Sequence, residues 1–165
     1  MKIKIYVIAR ISEDFHLWTD KVCEQLADSF EIFKPKDHNP WSKRHETFSK
    51  NVFDTDLKAI ESSHIGLMMP EYGKDCAWEA GWYANSGKPV VVFVDTQMQW
   101  LQDWMVKGGI DYVVTNNVST YEILKKDPIL KHKKIILIKN IKGLNKVLKA
   151  IYQAVCVSRE KMDKR

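Results

Sequence analysis

The stretch KDCAWEAGWYANSGKPVVVFVD, residues 74–95, joins two patterns. Its second half, Pro89 to Val94, is an unbroken apolar run bounded by Gly87-Lys88 and Asp95. A short apolar run without alternation reads as a strand buried on both faces, as strands of a parallel sheet are. Its first half reads as a helix, in which Glu79 stands between Trp78 and Trp82. A carboxylate among aromatics, just ahead of a buried strand, asks for a chemical reason.

Working outward, KIKIYVIA (2–9), EIFKP (31–35), IGLMMP (65–70), IDYVVTN (110–116) and KKIILIKN (133–140) read as further strands. Between them, DFHLWTDKVCEQLADSF (14–30) places Phe15, Trp18, Val22, Leu26 and Phe30 at helical spacing. TFSKNVFDTDLKAIESSH (47–64) does the same with Phe48, Val52, Leu57 and Ile60. TQMQWLQDWMVKGG (96–109) is a helix closed by glycines, VSTYEILKKD (118–127) a short helix with Ser119 or Thr120 as cap, and residues 141–165 a final helix with a basic end. KDHNPWSKRHE (36–46), with its turn formers and mixed charge, reads as a loop. No repeat, low-complexity segment or linker interrupts the chain, so residues 1–165 are expected to form one domain.

Alternating strands and helices pack as a parallel sheet covered on both faces. The expected fold is therefore α/β. Ligands of such folds lie beyond the carboxyl ends of the strands, where strand order reverses. The segments there are ARISED (9–14) and PEYGKD (70–75), and Glu79 lies just past the second.

Composition narrows the classes. The chain has 165 residues, 45% hydrophobic and 28% charged, the balance of a soluble globule. No apolar run reaches the ~20 residues of a membrane span, and the N-terminus has no cleavage site of a secretory leader. Three widely spaced cysteines, Cys23, Cys76 and Cys156, read as reduced thiols of a cytoplasmic protein. The net charge of +5 comes largely from late lysines. They read as solvated helix faces, and nucleic acid is not the expected partner. The five histidines show no metal-ligand spacing, and there is neither a glycine-rich phosphate loop nor a nucleophile elbow, so no metal or cofactor is expected.

Each candidate residue has two readings. Glu79, near a helix start, either complements the helix dipole or, ionised there and partly desolvated, serves as nucleophile or base. Asp56 is either a solvated helix residue or a second carboxylate converging on the same cleft, with its role separated from that of Glu79 by environment. Asp75 is a natural N-cap or a ligand contact. Tyr6 is a core tyrosine or a site residue. Arg10 makes a surface ion pair or meets a phosphate. Trp78 and Trp82, four apart, share a helix face and read as core or interface.

Three segments together resemble the nucleoside 2-deoxyribosyltransferase family, which includes nucleotide N-glycosidases. They are IYVIA at the first strand, DLKAI before the third, and AWEAGWYANSGKPVVVF, which is similar to the family's E-x-G-x-A-x-x-x-GKPV signature. The resemblance covers roughly residues 2–95. It implies a flavodoxin-like, doubly wound, five-stranded parallel sheet in three α/β/α layers. It also implies Glu79 as nucleophile, Asp56 at the base and sugar site, and Tyr6 orienting the glutamate. Substrate contacts fall on Ala9, Arg10, Gly73 and Asp75. Trp100 and Gln102 match the loop by which a neighbouring subunit completes the site, so a homo-oligomer with shared sites is implied. The implied activity is cleavage of the N-glycosidic bond of 2′-deoxynucleosides or their 5′-monophosphates, with the sugar passed to another base or to water. Partners would be nucleosides, nucleotides and free bases.

The chain departs from the family in two places. Gly73 stands where many members have an aspartate six residues before the glutamate, and Asp75-Cys76 replaces a small pair. A bulkier IARIS (8–12) replaces the usual glycine-containing loop, with Arg10 and Ser12 suited to a phosphate. Two other readings belong to different classes: a nucleotide-binding or signalling module without turnover, and an NAD-cleaving enzyme of the TIR kind.

Overall fold

A computed structural model describes residues 2–11, 16–39, 49–69, 72–95 and 103–162. Six strands appear among them: β1 (Ile3–Ile8), β2 (Phe30–Phe33), β3 (Ile65–Met68), β4 (Val90–Val94), β5 (Tyr112–Thr115) and β6 (Lys134–Leu137). They pair in the order β2-β1-β3-β4-β5-β6, every neighbour parallel. The expected α/β fold is present, but the sheet has six strands rather than five. The extra strand is the KIIL of KKIILIKN, laid along β5 with Tyr112 opposite Lys134. As an edge strand it is only half-buried.

The helices are α1 (His16–Leu26), α2 (Pro35–His38), α3 (Ser49–Ser62), α4 (Lys74–Asn85), α5 (Trp104–Gly109), α6 (Val118–Lys126) and α7 (Lys142–Met162). Alternation along β1 divides the core. Ile5 and Val7 pack with Val22 and Leu26 of α1 and Leu144 and Leu148 of α7. Tyr6 and Ile8 face the other way, onto Ile60 of α3, Ala80 and Tyr83 of α4, and Leu124 of α6. β4, the apolar run ahead of Asp95, is buried along its whole length.

Local chemistry corrects two expectations, and a third is met as far as the described residues reach. Pro35, at the first helical position where its missing N–H costs nothing, starts the single turn α2 inside what reads as a loop. The cap of α6 is Asn117, whose side chain accepts from Thr120 N–H at 2.9 Å; Ser119 and Thr120 lie inside the helix. Of the helix expected over 96–109, residues 104–109 are helical, and 96–102 lie outside the described residues.

The GKP step before β4 is structural. Gly87 takes φ +65°, which turns the chain out of α4 without a side-chain penalty. Lys88 Nζ donates to the carbonyls of Ile60 and Glu61 at 3.0 and 2.6 Å, satisfying the otherwise open end of α3.

Gly66 of β3 marks the tightest approach in this half of the molecule. A Cβ there would lie 3.0 Å from Ile8 Cδ1 and 3.1 Å from the Tyr83 ring. The Tyr83 hydroxyl is tied to Ser63 Oγ, so the ring has little freedom to retreat. Gly66→Val is expected to destabilise the protein by about 2 kcal/mol through overpacking. Urea unfolding followed by circular dichroism reads this as a lower midpoint at unchanged slope.

Candidate functional site

Strand order reverses between β1 and β3, which flank each other while β2 lies outside β1. Tyr6 comes from the middle of β1 and is fully buried. α4 follows β3, and its inward residues Cys76, Ala80 and Tyr83 pack on the same face of the sheet. Glu79, on the flank of this helical stripe, reaches Tyr6: the phenol donates to Glu79 Oε1 at 2.7 Å. Asp56 on α3 is near enough to both groups to disfavour their ionisation. Tyr6, Asp56 and Glu79 are thus brought together from three elements.

The electrostatics differ from the sequence expectation. Glu79 sits well beyond the first turn of a helix beginning at Lys74, where the dipole has faded. Burial dominates and pushes its carboxyl up to about 8; the negative charges of Asp56 and Asp75 add to the rise, and the Tyr6 hydrogen bond partly offsets it. Asp56 is raised to about 6, mainly by burial, with the His38 imidazole pulling the other way. Its Oδ1 is buried and has no hydrogen-bond partner among the described residues. A buried acceptor left open is costly in a folded protein and suits a donor from outside. The Tyr6 phenol is raised by burial and by the carboxylates, so it stays a donor. Cys76, next to Glu79, is pushed up to about 12 by burial and remains a thiol, unsuited to nucleophilic attack.

The other expected site residues have separate outcomes. Gly73 is the N-cap of α4, and Asp75, expected as the cap, lies exposed within the first turn. Ala9 and Arg10 line a small recess with Val7, Thr19, Lys34 and Lys36; Val7 and Ala9 pack on the face of the sheet opposite Tyr6. Trp100 and Gln102 lie outside the described residues. Trp78 and Trp82 are not core. They are 49% and 37% exposed, their rings 5.2 Å apart, and Trp78 meets the exposed Phe53 of α3 at 6.2 Å.

The structure also adds residues that the sequence reading passed over. Phe33, at the end of β2, stacks on the Tyr6 ring with centroids 5.5 Å apart and planes 10° from parallel. His38 stacks on Phe33 in turn, at 4.6 Å and 7°. The signal was the FKPKDH run: a proline after the strand starts a helical turn that folds His38 back over Phe33.

A side chain at Gly73 would meet nothing within 4 Å. Asp is among the best N-cap residues and Gly among the weaker ones. Gly73→Asp is therefore expected to fold normally and gain a few tenths of a kcal/mol, read as a small rise in thermal midpoint.

No protein-family model and no curated protein sequence matches the chain. Among solved structures it is similar to a 2-deoxyribosyltransferase from Bacillus psychrosaccharolyticus, at 24% sequence identity and a TM-score of 0.56, over 67% of this chain and 84% of that one. It is also similar to a conserved protein from Enterococcus faecalis V583, at 16% identity and a TM-score of 0.56, over 91% of this chain and 99% of that one. At these identities the likeness is one of fold. Among the described residues no helix is long and apolar enough to cross a membrane.

Proposed function

We propose that the chain cleaves the N-glycosidic bond of 2′-deoxynucleosides or their 5′-monophosphates. Glu79 attacks C1′ of the sugar; the C1′–N bond breaks, a C1′–O bond to Glu79 forms, and Asp56 gives its proton to the departing base. Water or a second base then attacks C1′, the ester bond breaks, and the incoming nucleophile loses its proton to Asp56. This is the double displacement of a retaining glycosidase, through an oxocarbenium-like transition state. The observation that carries the reading is the hydrogen bond from Tyr6 to Glu79, beside an Asp56 oxygen with no donor among the described residues. The likeness to a 2-deoxyribosyltransferase supports the reaction class.

Proton placement fits this chemistry. In the free protein the single proton shared by the pair favours Glu79, because its value near 8 exceeds the value near 6 of Asp56. A flat base laid against Asp56 excludes water from it and raises it further. Substrate binding thereby moves the proton toward the donor and leaves the charge on the nucleophile.

The chain works as one domain over 1–165 and as a cytoplasmic homo-oligomer, at least a dimer, in which a neighbouring subunit completes the cleft. Trp104 and Met105, 75% and 89% exposed at the start of α5, are the residue types enriched at interfaces. Light scattering at micromolar concentration is expected to give at least twice the chain mass, and a monomer would remove this part of the proposal.

The reaction is tested by mass spectrometry after incubation with a slow 2-fluorinated nucleoside. A sugar-mass adduct on the peptide bearing Glu79 is the expected result. Base release with an adduct on another residue would overturn the nucleophile. No base release from a panel of nucleosides, monophosphates and NAD would favour a binding module without turnover.

A further inference from the structure

The segment KKDPILKHKK, residues 125–134, carries five lysines against one acid, a local charge of +4 in a chain whose net charge is +5. From spacing alone such lysines read as solvated faces; the fold gathers them at one edge. Lys125 and Lys126 close α6, Lys131 stands on the single turn Leu130–His132, and Lys133 and Lys134 lead into β6. α6, this turn and β6 pack against one another, so the five lysines share one corner of the molecule, at the amino end of the edge strand. Elsewhere Lys4, Lys34, Lys36, Lys50 and Lys107 pair with carboxylates; among the described residues none of these five does. Asp127, the acid inside the segment, is taken by Lys107 Nζ at 2.6 Å and by the N–H groups of Ile129 and Leu130. Glu122, a turn earlier on α6, forms no ion pair with them. The contacts that hold the five are neutral. Lys133 Nζ donates to Gly108 O at 2.7 Å, Lys125 lies over the Tyr121 ring at 5.3 Å, and Lys134 lies over the Tyr112 ring at 5.2 Å. A carbonyl and two ring faces fix these side chains in place without neutralising them.

We propose that this edge binds the phosphate backbone of a nucleic-acid duplex without reading its bases. Positive charges left open on a rigid edge gain by releasing the counterions condensed on a polyanion. The segment holds lysines and no arginine. Lysine meets a phosphate as a point charge and lacks the planar fork with which arginine reads guanine. Tyr112 and Tyr121 are half-buried and each carries a lysine over its ring, so they offer no platform on which bases could stack. A single strand therefore gains no stacking, and the duplex, with its denser charge, is the better ligand. A bilayer surface fits less well, because the exposed tryptophans that would anchor there, Trp78, Trp82 and Trp104, lie on α4 and α5 instead. Lys125 and Lys126 complement the carboxyl end of α6, and Lys134 guards an open strand edge. Those roles account for single charges and not for five with no acid free to meet them. β6 lies four strands from β1, roughly 19 Å across the sheet from Tyr6. The edge is thus separate from the carboxylate pair, and the inference does not depend on the reaction.

The probe is a fluorescein-labelled DNA duplex of mixed sequence, about 20 base pairs long, followed by anisotropy as salt is varied. The full chain is expected to bind it with a log–log salt slope of about −4, from four or five phosphate contacts at about −0.9 each. The variant carrying Lys131→Glu and Lys134→Glu is expected to bind about tenfold or more weakly at roughly 100 mM salt, with a slope near about −2. The control carrying Lys142→Glu and Lys146→Glu on α7 changes net charge equally and is expected to stay within about twofold of wild type. All four positions are exposed, and circular dichroism checks that each variant is folded. The milder Lys131→Gln with Lys134→Gln repeats the test without reversing charge and is expected to lose about threefold or more. Equal losses in the two Glu variants would overturn the proposal, because net charge rather than this edge would then hold the duplex. So would a wild type that does not bind the duplex, or that binds the single strand of the same sequence more tightly. Binding to phosphatidylserine vesicles and not to the duplex would assign the edge to a membrane surface and overturn the proposal as well.

Discussion

Glu79→Gln is expected to lower base release by four or more powers of ten while the protein stays folded. The amide keeps the shape of the carboxyl and still accepts from Tyr6, but it has no charge with which to attack C1′. Loss of a covalent nucleophile typically removes more than about 5 kcal/mol of transition-state stabilisation. Retention of most activity would exclude Glu79 as nucleophile. Stability carries an independent signature. The folded-state value of Glu79, about 8, lies above its ordinary 4.5. Between these values the folded chain holds a proton that the unfolded chain has released. Stability is then complete below about 4.5 and falls as pH rises through 8. Gln does not titrate, so the variant escapes this loss. Each tenfold change in proton affinity between the folded and unfolded chain corresponds to ~1.4 kcal/mol, giving a difference on the order of 5 kcal/mol at pH 9. Calorimetry should find little difference near pH 4.5 and a variant more stable by roughly 10 °C at pH 9. A gap that fails to widen with pH would show that Glu79 is not held neutral by burial.

The second large effect is on the pH profile. The reactive form has Glu79 ionised and Asp56 protonated, although Asp56 is the group that ionises first. With values near 6 and 8, that form makes up about 1% of the protein across the interval between them. Below pH 6 it declines about tenfold per pH unit as Glu79 gains its proton; above pH 8 it declines about tenfold per pH unit as Asp56 loses its own. The profile of kcat/KM is therefore expected to be flat-topped between about 6 and 8, with both limbs steep. In Asp56→Asn the alkaline fall should vanish, and the residual rate should climb with pH until Glu79 is ionised. An alkaline limb persisting in that variant would assign it to another group.

How far the sequence carried these inferences depends on the kind of signal. Val90–Val94 announced a doubly buried strand because burial on both faces leaves no polar position to mistake. β6 was readable as a strand, but whether a half-buried KIIL joins the sheet depends on β5 presenting an open edge, which no local pattern states. Glu79 stood out as a charge among aromatics. Its suppressed ionisation did not, since that comes from burial under β1 and α3, a property of the assembled face. The exposure of Trp78 and Trp82 ran against composition, because helical spacing shows a shared face without saying which way it points. His38 was hidden for a related reason. Its stacking partner Phe33 meets it only after Pro35 has turned the chain back.

The pairing of the sheet has a consequence for how the molecule comes into being. Every pairing among the described strands joins segments distant along the chain: Ile3 meets Phe30, Ile5 meets Ile65, and Tyr112 meets Lys134. None of these pairs is a hairpin that gives a quick local start. A parallel pair forms only after its intervening helix has been spanned, with the loop entropy lost before the contacts compensate. Refolding is thus expected on the slow side for a domain of this size, in milliseconds to seconds rather than microseconds. On the ribosome, β1 must wait for β3 to emerge before its inner edge is covered. During that wait, the strand that bears Tyr6 is an open template for any other chain.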